Sequence, residues 1–236
     1  MRRILLACGL LALCGSALAD NHININSLQS QADFDGLSED LGAVTSYKQL
    51  QGSSSEGITG FDFGLNFGDA QVDHKQAWND ATGSSISNLP FADVTLSKGL
   101  PFGFDVGGMY SFVPNSNIKL YGVEGRYAII DGGIAEPAVG VRLAYTHLSG
   151  VDDLSFHTTT LDFSVSKGFG PITPYGGVGE VWSNSSPDAS THFTSHNSSN
   201  TELFAGVSFN LGAHLALEWN HIGGNNTYSF KLGFGF

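Results

Sequence analysis

Cysteine is nearly absent from this chain: there are two in 236 residues, Cys8 and Cys14, both near the N-terminus. If that region is removed no thiol remains, and stability has to come from backbone pairing and packing without disulfides. Basic residues are scarce as well, 10 Lys and Arg against 22 Asp and Glu. That balance excludes nucleic-acid binding, which needs clustered cations against phosphate. After residue 19 no apolar stretch approaches the roughly 18 residues of a membrane-spanning helix. What is present is 31 glycines, frequent Asn, Ser and Thr, and hydrophobicity spread thinly in alternation. The pattern is all-β with many turns.

The N-terminus reads as a secretory signal. Met1-Arg2-Arg3 is the cationic start, residues 4–13 the apolar run, and Ala17-Leu18-Ala19 a small-x-small cleavage site before Asp20. Cys14 offers a lipidation alternative, but Leu13 stands where a small residue is wanted. Cleavage after Ala19 takes the formal charge from −12 to −14 and leaves 217 residues, one domain's length. The chain divides into a signal peptide (1–19), an N-terminal periplasmic or lumenal segment (20–56) and a barrel (57–236).

Ten alternating runs follow, at 58–67, 91–99, 102–112, 118–130, 135–148, 156–168, 173–183, 201–211, 214–222 and 227–236. Most match the roughly 9–11 residues of a tilted transmembrane strand. The last is the clearest: Tyr228, Phe230, Leu232, Phe234 and Phe236 alternate with Ser, Lys and Gly, placing every large apolar side chain on one face. This ending resembles that of bacterial outer-membrane β-barrels, in which a terminal aromatic is read by the insertion machinery. Residues 37–47 followed by 57–62 also look like a block found in uncharacterised barrels of Gram-negative bacteria. The resemblance implies a transmembrane antiparallel up-and-down β-barrel of about ten strands in the cell outer membrane. Its partners would be outer-membrane lipid and the barrel-insertion machinery; no cofactor is implied, and oligomeric state is left open. Tight turns near residues 99–102, 131–133, 168–171 and 212–213 alternate with longer connections, as expected if the former face the periplasm.

A soluble sandwich or lipocalin-like barrel would also alternate, so the second face decides. By parity it carries Asp62, Asp93, Asp105, Glu124, Arg126, Arg142, Asp162, Glu180, Glu202, Glu218 and Lys231. Charge there fits a polar lumen inside an apolar belt. Eight of the eleven are acidic, which would favour cations if the lumen conducted. Ten strands make a narrow barrel, however, and wide aqueous channels need about 16–18. Tyr110, Tyr127, Tyr145, Trp219 and Tyr228 share the apolar parity and suit an interfacial girdle.

Within residues 20–56, Phe34, Leu37, Leu41, Val44 and Tyr47 or Lys48 recur at helical spacing, with Asp33 or Asp35 available as cap. One amphipathic helix is expected, in the lumen or against the periplasmic rim. Carboxylates at Asp33, Asp35, Glu39 and Asp40 argue against the lumen, and Gly64, Gly103, Gly107, Gly140 and Gly206 would make room there.

Site chemistry is thin. Omptin proteases share the ten-stranded barrel, but His147, Asp152, Asp153, His157 and Asp188 do not reproduce their paired carboxylates. His196-Asn-Ser198 has a lipid A deacylase-like spacing inside a Ser/Asn run, where any His has a nearby Ser. His147, His157, His192 and His196 are candidate metal ligands at the extracellular rim, with His22 and His214 expected elsewhere. The expectation is a non-enzymatic barrel with a structural, surface-interaction or small-solute role; the alternatives are a rim enzyme acting on lipid or peptide, or a rim metal binder.

Overall fold

A computed structural model describes residues 22–235. The signal peptide and its cleavage site, and Phe236 of the C-terminal signal, lie outside the described residues. Ten antiparallel strands form a closed barrel in which each pairs with its sequence neighbours and β1 with β10. They are β1 (Phe61–Gln71), β2 (Asn88–Gly99), β3 (Phe104–Phe112), β4 (Lys119–Ile130), β5 (Ala138–Ser149), β6 (Leu154–Ser166), β7 (Ile172–Pro187), β8 (His196–Asn210), β9 (His214–Ile222) and β10 (Asn225–Gly235). Closure sets Phe63 opposite Phe234 and Leu65 opposite Leu232. The polar chain thereby completes every ladder and leaves no open edge.

Polarity is inverted relative to a soluble protein. Phe67, Val123, Leu143, Phe163, Leu217 and Phe234 are more than half exposed on the outer face, while Asp105, Arg142, Asp162 and Glu202 are buried inside. Lipid on one side and a polar interior on the other is the arrangement of a transmembrane barrel. In β4 a register shift between Ala128 and Ile130 lets both Ile129 and Ile130 face out. Tyr110, Tyr121, Tyr145, Trp182, Trp219 and Tyr228 ring the outer face towards the long-loop end. At the short-turn end every turn projects one large apolar residue: Phe102, Ile134, Phe169 and Leu211. These two rings suit the two interfaces of a bilayer.

Three features depart from the sequence reading. Glu180 faces outward rather than into the lumen, flanked on its face by Val178 and Trp182 and bonded by Ser199 and Thr201 of β8. The glycines at 176, 177 and 179 leave that stretch of β7 without a readable apolar face. Second, the hairpin of β7 and β8 continues through residues read as a loop, pairing Asn184 with Asn197 and Ser185 with His196. Ser183 and Ser198 bond across it at 2.6 Å, the kind of cross-strand polar pair that lets Ser and Asn sit in a ladder. Third, the long β1–β2 connection holds a second helix, Lys75–Thr82, that buries Ala77, Trp78 and Ala81. It stops at Gly83, whose φ of 69° is the left-handed conformation glycine favours.

The first helix, α1, spans Gln31–Thr45 and lies in the lumen. Its cap is Ser30, whose Oγ accepts from the Asp33 amide, in place of Asp33 or Asp35. It ends before Tyr47, and the Lys48 ammonium donates to the Ala43 carbonyl at 2.8 Å, satisfying the C-terminal end. The second helix is α2 hereafter.

Candidate functional site

Among the described residues, the buried charges gather in the lumen, and the chain's own N-terminal segment fills it. At the long-loop end the Ile23 amide donates to Asn117 Oδ1 at 2.9 Å, and Asn117 Nδ2 donates to the Ile23 carbonyl at 3.0 Å. From there α1 descends, and residues 46–60 continue without helix or strand to the short-turn end. There the Ser55 amide donates to Asp131 at 2.7 Å, the Glu56 amide to Asp105 at 3.0 Å, and the Gly99 amide to the Gly60 carbonyl at 3.1 Å. The segment is threaded end to end.

Its upper part is held by apolar packing. Phe34, Leu37 and Leu41 of α1 are fully buried against Trp78 of α2 and the lumenal Leu89, Phe91, Met109, Leu120, Leu148 and Phe156. Phe34 stacks on Phe193 of the β7–β8 connection with centroids 5.2 Å apart. This apolar layer is a second correction to a lumen read as polar throughout: the inward parity is apolar near the long loops and charged below them.

Asp40 is the polar anchor of that layer and is completely buried. Its carboxylate accepts from Trp78 Nε1 at 2.9 Å, the His74 amide at 2.9 Å, His74 Nδ1 at 3.0 Å and Asn225 Nδ2 at 3.0 Å. One side chain thus ties α1 to α2, to the first loop and to β10. The other helix carboxylates also find partners. Glu39 sits 3.8 Å from His74 and 3.7 Å from His196, and Asp35 is 3.2 Å from His196. The acidic face that argued against a lumenal helix is met by two histidines, His74 from the β1–β2 connection and His196 from the start of β8.

His74 makes the latch sensitive to pH. Burial alone would lower its pKa, but the Asp40 hydrogen bond and the negative charge of Asp40, Glu39 and Asp73 outweigh it, and the pKa is raised. A group whose folded pKa is raised contributes stability that is fully present below its unfolded value, about 6.5 for histidine, and lost as pH rises through the folded value. Amide-exchange protection of α1 is therefore expected to fall as pH is raised above that window. His74→Gln should flatten the slope; an unchanged slope in the variant would show that another group sets it.

Below the helix the wall turns ionic. Arg142, 1 % exposed, bonds Asp162 Oδ2 through Nε at 2.7 Å and the Tyr47 carbonyl through Nη1 at 3.0 Å. Its guanidinium lies 5.8 Å from the Tyr47 ring centroid, within reach of a cation–π contact. Arg126 reaches Asp105 at 2.9 Å and Glu56 at 3.0 Å, and Lys231 pairs with Asp62. Gly122 and Gly140 let the segment pass: a Cβ would lie 2.9 Å from the Tyr47 ring and 3.1 Å from the Ser53 carbonyl oxygen respectively. Of the glycines expected to make room, only Gly140 does so for the plug. Gly64, Gly107 and Gly206 accommodate neighbouring wall side chains, and Gly103 sits in a turn. A cavity of about 360 Å³ remains at the short-turn end, bounded by Gln51, Glu56, Asp62, Arg126, His214 and Lys231 among others.

Ten of the eleven charges assigned to the lumen by parity face it, Glu180 being the exception. Tyr228, Phe230, Leu232 and Phe234 share the outer face of β10. The four candidate metal ligands are not gathered. His147 and His157 stand opposite each other on the outer face of β5 and β6, His192 lies in the β7–β8 connection, and His196 turns inward to α1. Among the described residues no group of three or more His, Cys, Asp or Glu is arranged to hold a metal ion. Of the rim residues weighed for catalysis, Asp153 accepts from Asn26 at 2.8 Å and Ser198 is bonded to Ser183. His214 is at the short-turn end, 2.5 Å from Asp62, but His22 lies with the long loops, contrary to the sequence reading.

No family model and no curated protein matches this chain. Solved structures that resemble it are outer-membrane proteins at low identity. The KdgM porin is 11 % identical over 73 % of this chain and 99 % of that one, with a TM-score of 0.37. OprG from Pseudomonas aeruginosa is 12 % identical over 80 % and 99 %, with a TM-score of 0.35. A loop-deletion mutant of OmpT, an outer membrane protein of Vibrio cholerae, is 12 % identical with a TM-score of 0.33; the match takes 63 % of this chain and 54 % of that one, so the chain spans about half its length. The barrel assignment rests on this chain's own pairing and inverted polarity.

Proposed function

We propose that this protein is a non-enzymatic outer-membrane barrel that seals its own lumen and presents a structural or interacting surface to the cell exterior. The short turns face the periplasm, and the loops, with the start of the plug, face outward. The observation that carries the reading is the unbroken traverse of the lumen from Ile23 to Gly60, anchored at both ends. The alternation of Tyr228, Phe230, Leu232 and Phe234 supports it as the pattern the insertion machinery recognises. A cation conduit has less support, because the lumenal carboxylates Asp62, Asp105 and Asp162 are each engaged by Lys231, Arg126 or Arg142.

The test is planar-bilayer recording. The purified mature protein is expected to insert and remain electrically silent under applied voltage. Steady single-channel steps from the unmodified protein would sink the sealed-lumen reading.

A further inference from the structure

The outer wall from β3 to β8 carries a cross-strand row that plays no part in sealing the lumen. Tyr110 stands opposite Tyr121, Tyr121 opposite His147, His147 opposite His157, His157 opposite Asn184, and Asn184 opposite Asn197. Each lies on the outward parity of its strand, and Tyr110, Tyr121, His147 and Asn197 are exposed. Directly opposed side chains on neighbouring strands are roughly 5 Å apart at Cβ, so the row is one continuous band. The Tyr110 and Tyr121 rings are 5.3 Å apart, and Tyr145, the next outward residue below His147, has its ring 5.6 Å from that of His157.

The band marks the upper edge of the apolar belt. On β5 the outward face changes from Leu143 to Tyr145 and His147, on β6 from Leu161 to Thr159 and His157, and on β8 from Leu203 to Thr201 and Ser199. β7 and β8 run for 16 and 15 residues, more than the roughly 9–11 that a tilted strand needs to cross the hydrocarbon. Their Asn pair therefore stands beyond it. A polar and aromatic band at this height meets lipid headgroups, with acyl chains below it.

Charge narrows the choice of headgroup. Lys119 of β4 is exposed on the same face as Tyr121, two residues away, and its opposite number on β5 is Ser149, which follows His147 on that face. The other described cations are elsewhere. Lys48, Arg126, Arg142 and Lys231 are buried in the lumen, Lys98 and Lys167 bond carbonyls at the short-turn end, and Lys75 opens α2. Lys119 and two imidazoles thus make a local cationic spot on an acidic protein. Two carboxylates on this side are engaged: Glu180 accepts from Ser199 and Thr201, and Asp153 in the β5–β6 turn accepts from Asn26. Asp152 is exposed in that same turn.

We propose that this face is a binding site for the phosphorylated saccharide headgroup of a glycolipid in the outer leaflet. Lys119, His147 and His157 donate to phosphate oxygens, and an adjacent phosphate favours the charged imidazole. The tyrosine rings offer apolar faces to sugar rings. Asn184 Nδ2 donates to Asn197 Oδ1, which leaves the Asn197 amide donors for a sugar hydroxyl. A free phosphate would use the cations alone. A headgroup carrying acyl chains uses the band together with Leu143 and Leu161 beneath it, and this selects the lipid. The site rests on the proposed orientation, with the long loops outward, and not on a sealed lumen.

The experiment titrates the purified mature protein, in non-ionic detergent, with bis-phosphorylated lipid A and counts bound molecules by native mass spectrometry. A saturable complex is expected, with dephosphorylated lipid A and phosphatidylethanolamine bound roughly tenfold more weakly or worse. Combining Lys119→Gln, His147→Gln and His157→Gln should weaken binding of the phosphorylated lipid by roughly tenfold or more. Lys75→Gln, a cation removed from α2, should leave it unchanged. A second readout needs no variant: bound lipid A should slow the modification of His147 and His157 by diethyl pyrocarbonate and leave that of His192 as it was. Equal binding of the dephosphorylated lipid, full binding by the triple variant, an equal loss in K75Q, or unprotected His147 and His157 would each overturn the site. Complete displacement by millimolar inorganic phosphate would overturn it as a lipid site. None of these readouts depends on whether the lumen conducts, so failure here and failure of the sealed-lumen reading are told apart.

Discussion

Replacing Asp40 by leucine is expected to free the plug while leaving the barrel closed. The carboxylate is fully buried and satisfies donors from Trp78, His74 and Asn225. Leucine has a similar volume and no acceptor, so Trp78 Nε1 and the His74 amide lose their acceptor while Asn225 Nδ2 keeps only its bond to the Gln71 carbonyl, at a cost of roughly 3–5 kcal/mol when lost bonds and desolvated donors are taken together. The ladders that close the barrel involve none of these atoms. Hydrogen exchange should therefore show faster exchange across residues 31–60 with strand amides still protected, and bilayer recordings should show intermittent opening that the unmodified protein lacks. Asp40→Asn keeps one carbonyl oxygen in place and should show a smaller effect in both. If D40L unfolds strands and plug together, plug and barrel are one cooperative unit and the latch assignment is wrong.

The strands were legible because a membrane barrel imposes one rule on every one of them: lipid on one face, lumen on the other, with a period of two. Phe61, Phe63, Leu65 and Phe67 obey it openly, and all ten runs became strands. Glu180 was misplaced because Gly176, Gly177 and Gly179 carry no side chain to mark a face; Val178 and Trp182, two positions either side, held the missing signal. The upper lumen was misread for a different reason. Leu89, Phe91, Met109, Leu120, Leu148 and Phe156 all lie on the charged parity but cluster at strand ends next to the long loops, while Asp93, Asp105, Arg126 and Arg142 lie lower on the same faces. Sorting the inward residues by height, not only by parity, separates the two layers.

The plug was half legible. Spacing of Phe34, Leu37 and Leu41 gave the helix, but an amphipathic period carries no direction, so nothing in it said that the chain enters from the loop end. The charge objection failed because it counted carboxylates without their partners: His74 comes from a loop and His196 from a strand read as loop. α2 escaped notice because Lys75–Thr82 is short and mostly polar, and Ala77, Trp78 and Ala81 form a stripe only once α1 is beside them. Helices this short draw their stability from packing, not propensity.

Arg142→Met is expected to be the most damaging single change in the lower lumen, and its rescue is the more informative result. Methionine fits the space but removes, among the described residues, the only cation bonded to Asp162, which is itself completely buried; Glu124, 3.7 Å from Arg142, keeps Arg126 at 3.8 Å. Stranding the buried Asp162 carboxylate in this way costs roughly 3–5 kcal/mol. The same side chain also loses its bond to the Tyr47 carbonyl and its place over the Tyr47 ring, so the plug and the β5–β6 wall weaken together. Thermal unfolding in detergent should drop accordingly, and exchange should rise in residues 46–53 as well as at the β5–β6 pair. Adding Asp162→Leu removes the stranded charge, and because an apolar pair replaces a buried ion pair at little loss, most of the barrel's stability should return. Plug protection should stay below that of the unmodified protein, since the double variant still lacks the Arg142 bond to the Tyr47 carbonyl and the guanidinium beside its ring. Recovery of both would mean that Arg142 serves only to neutralise Asp162; recovery of the barrel alone identifies it as the residue that couples the wall to the plug.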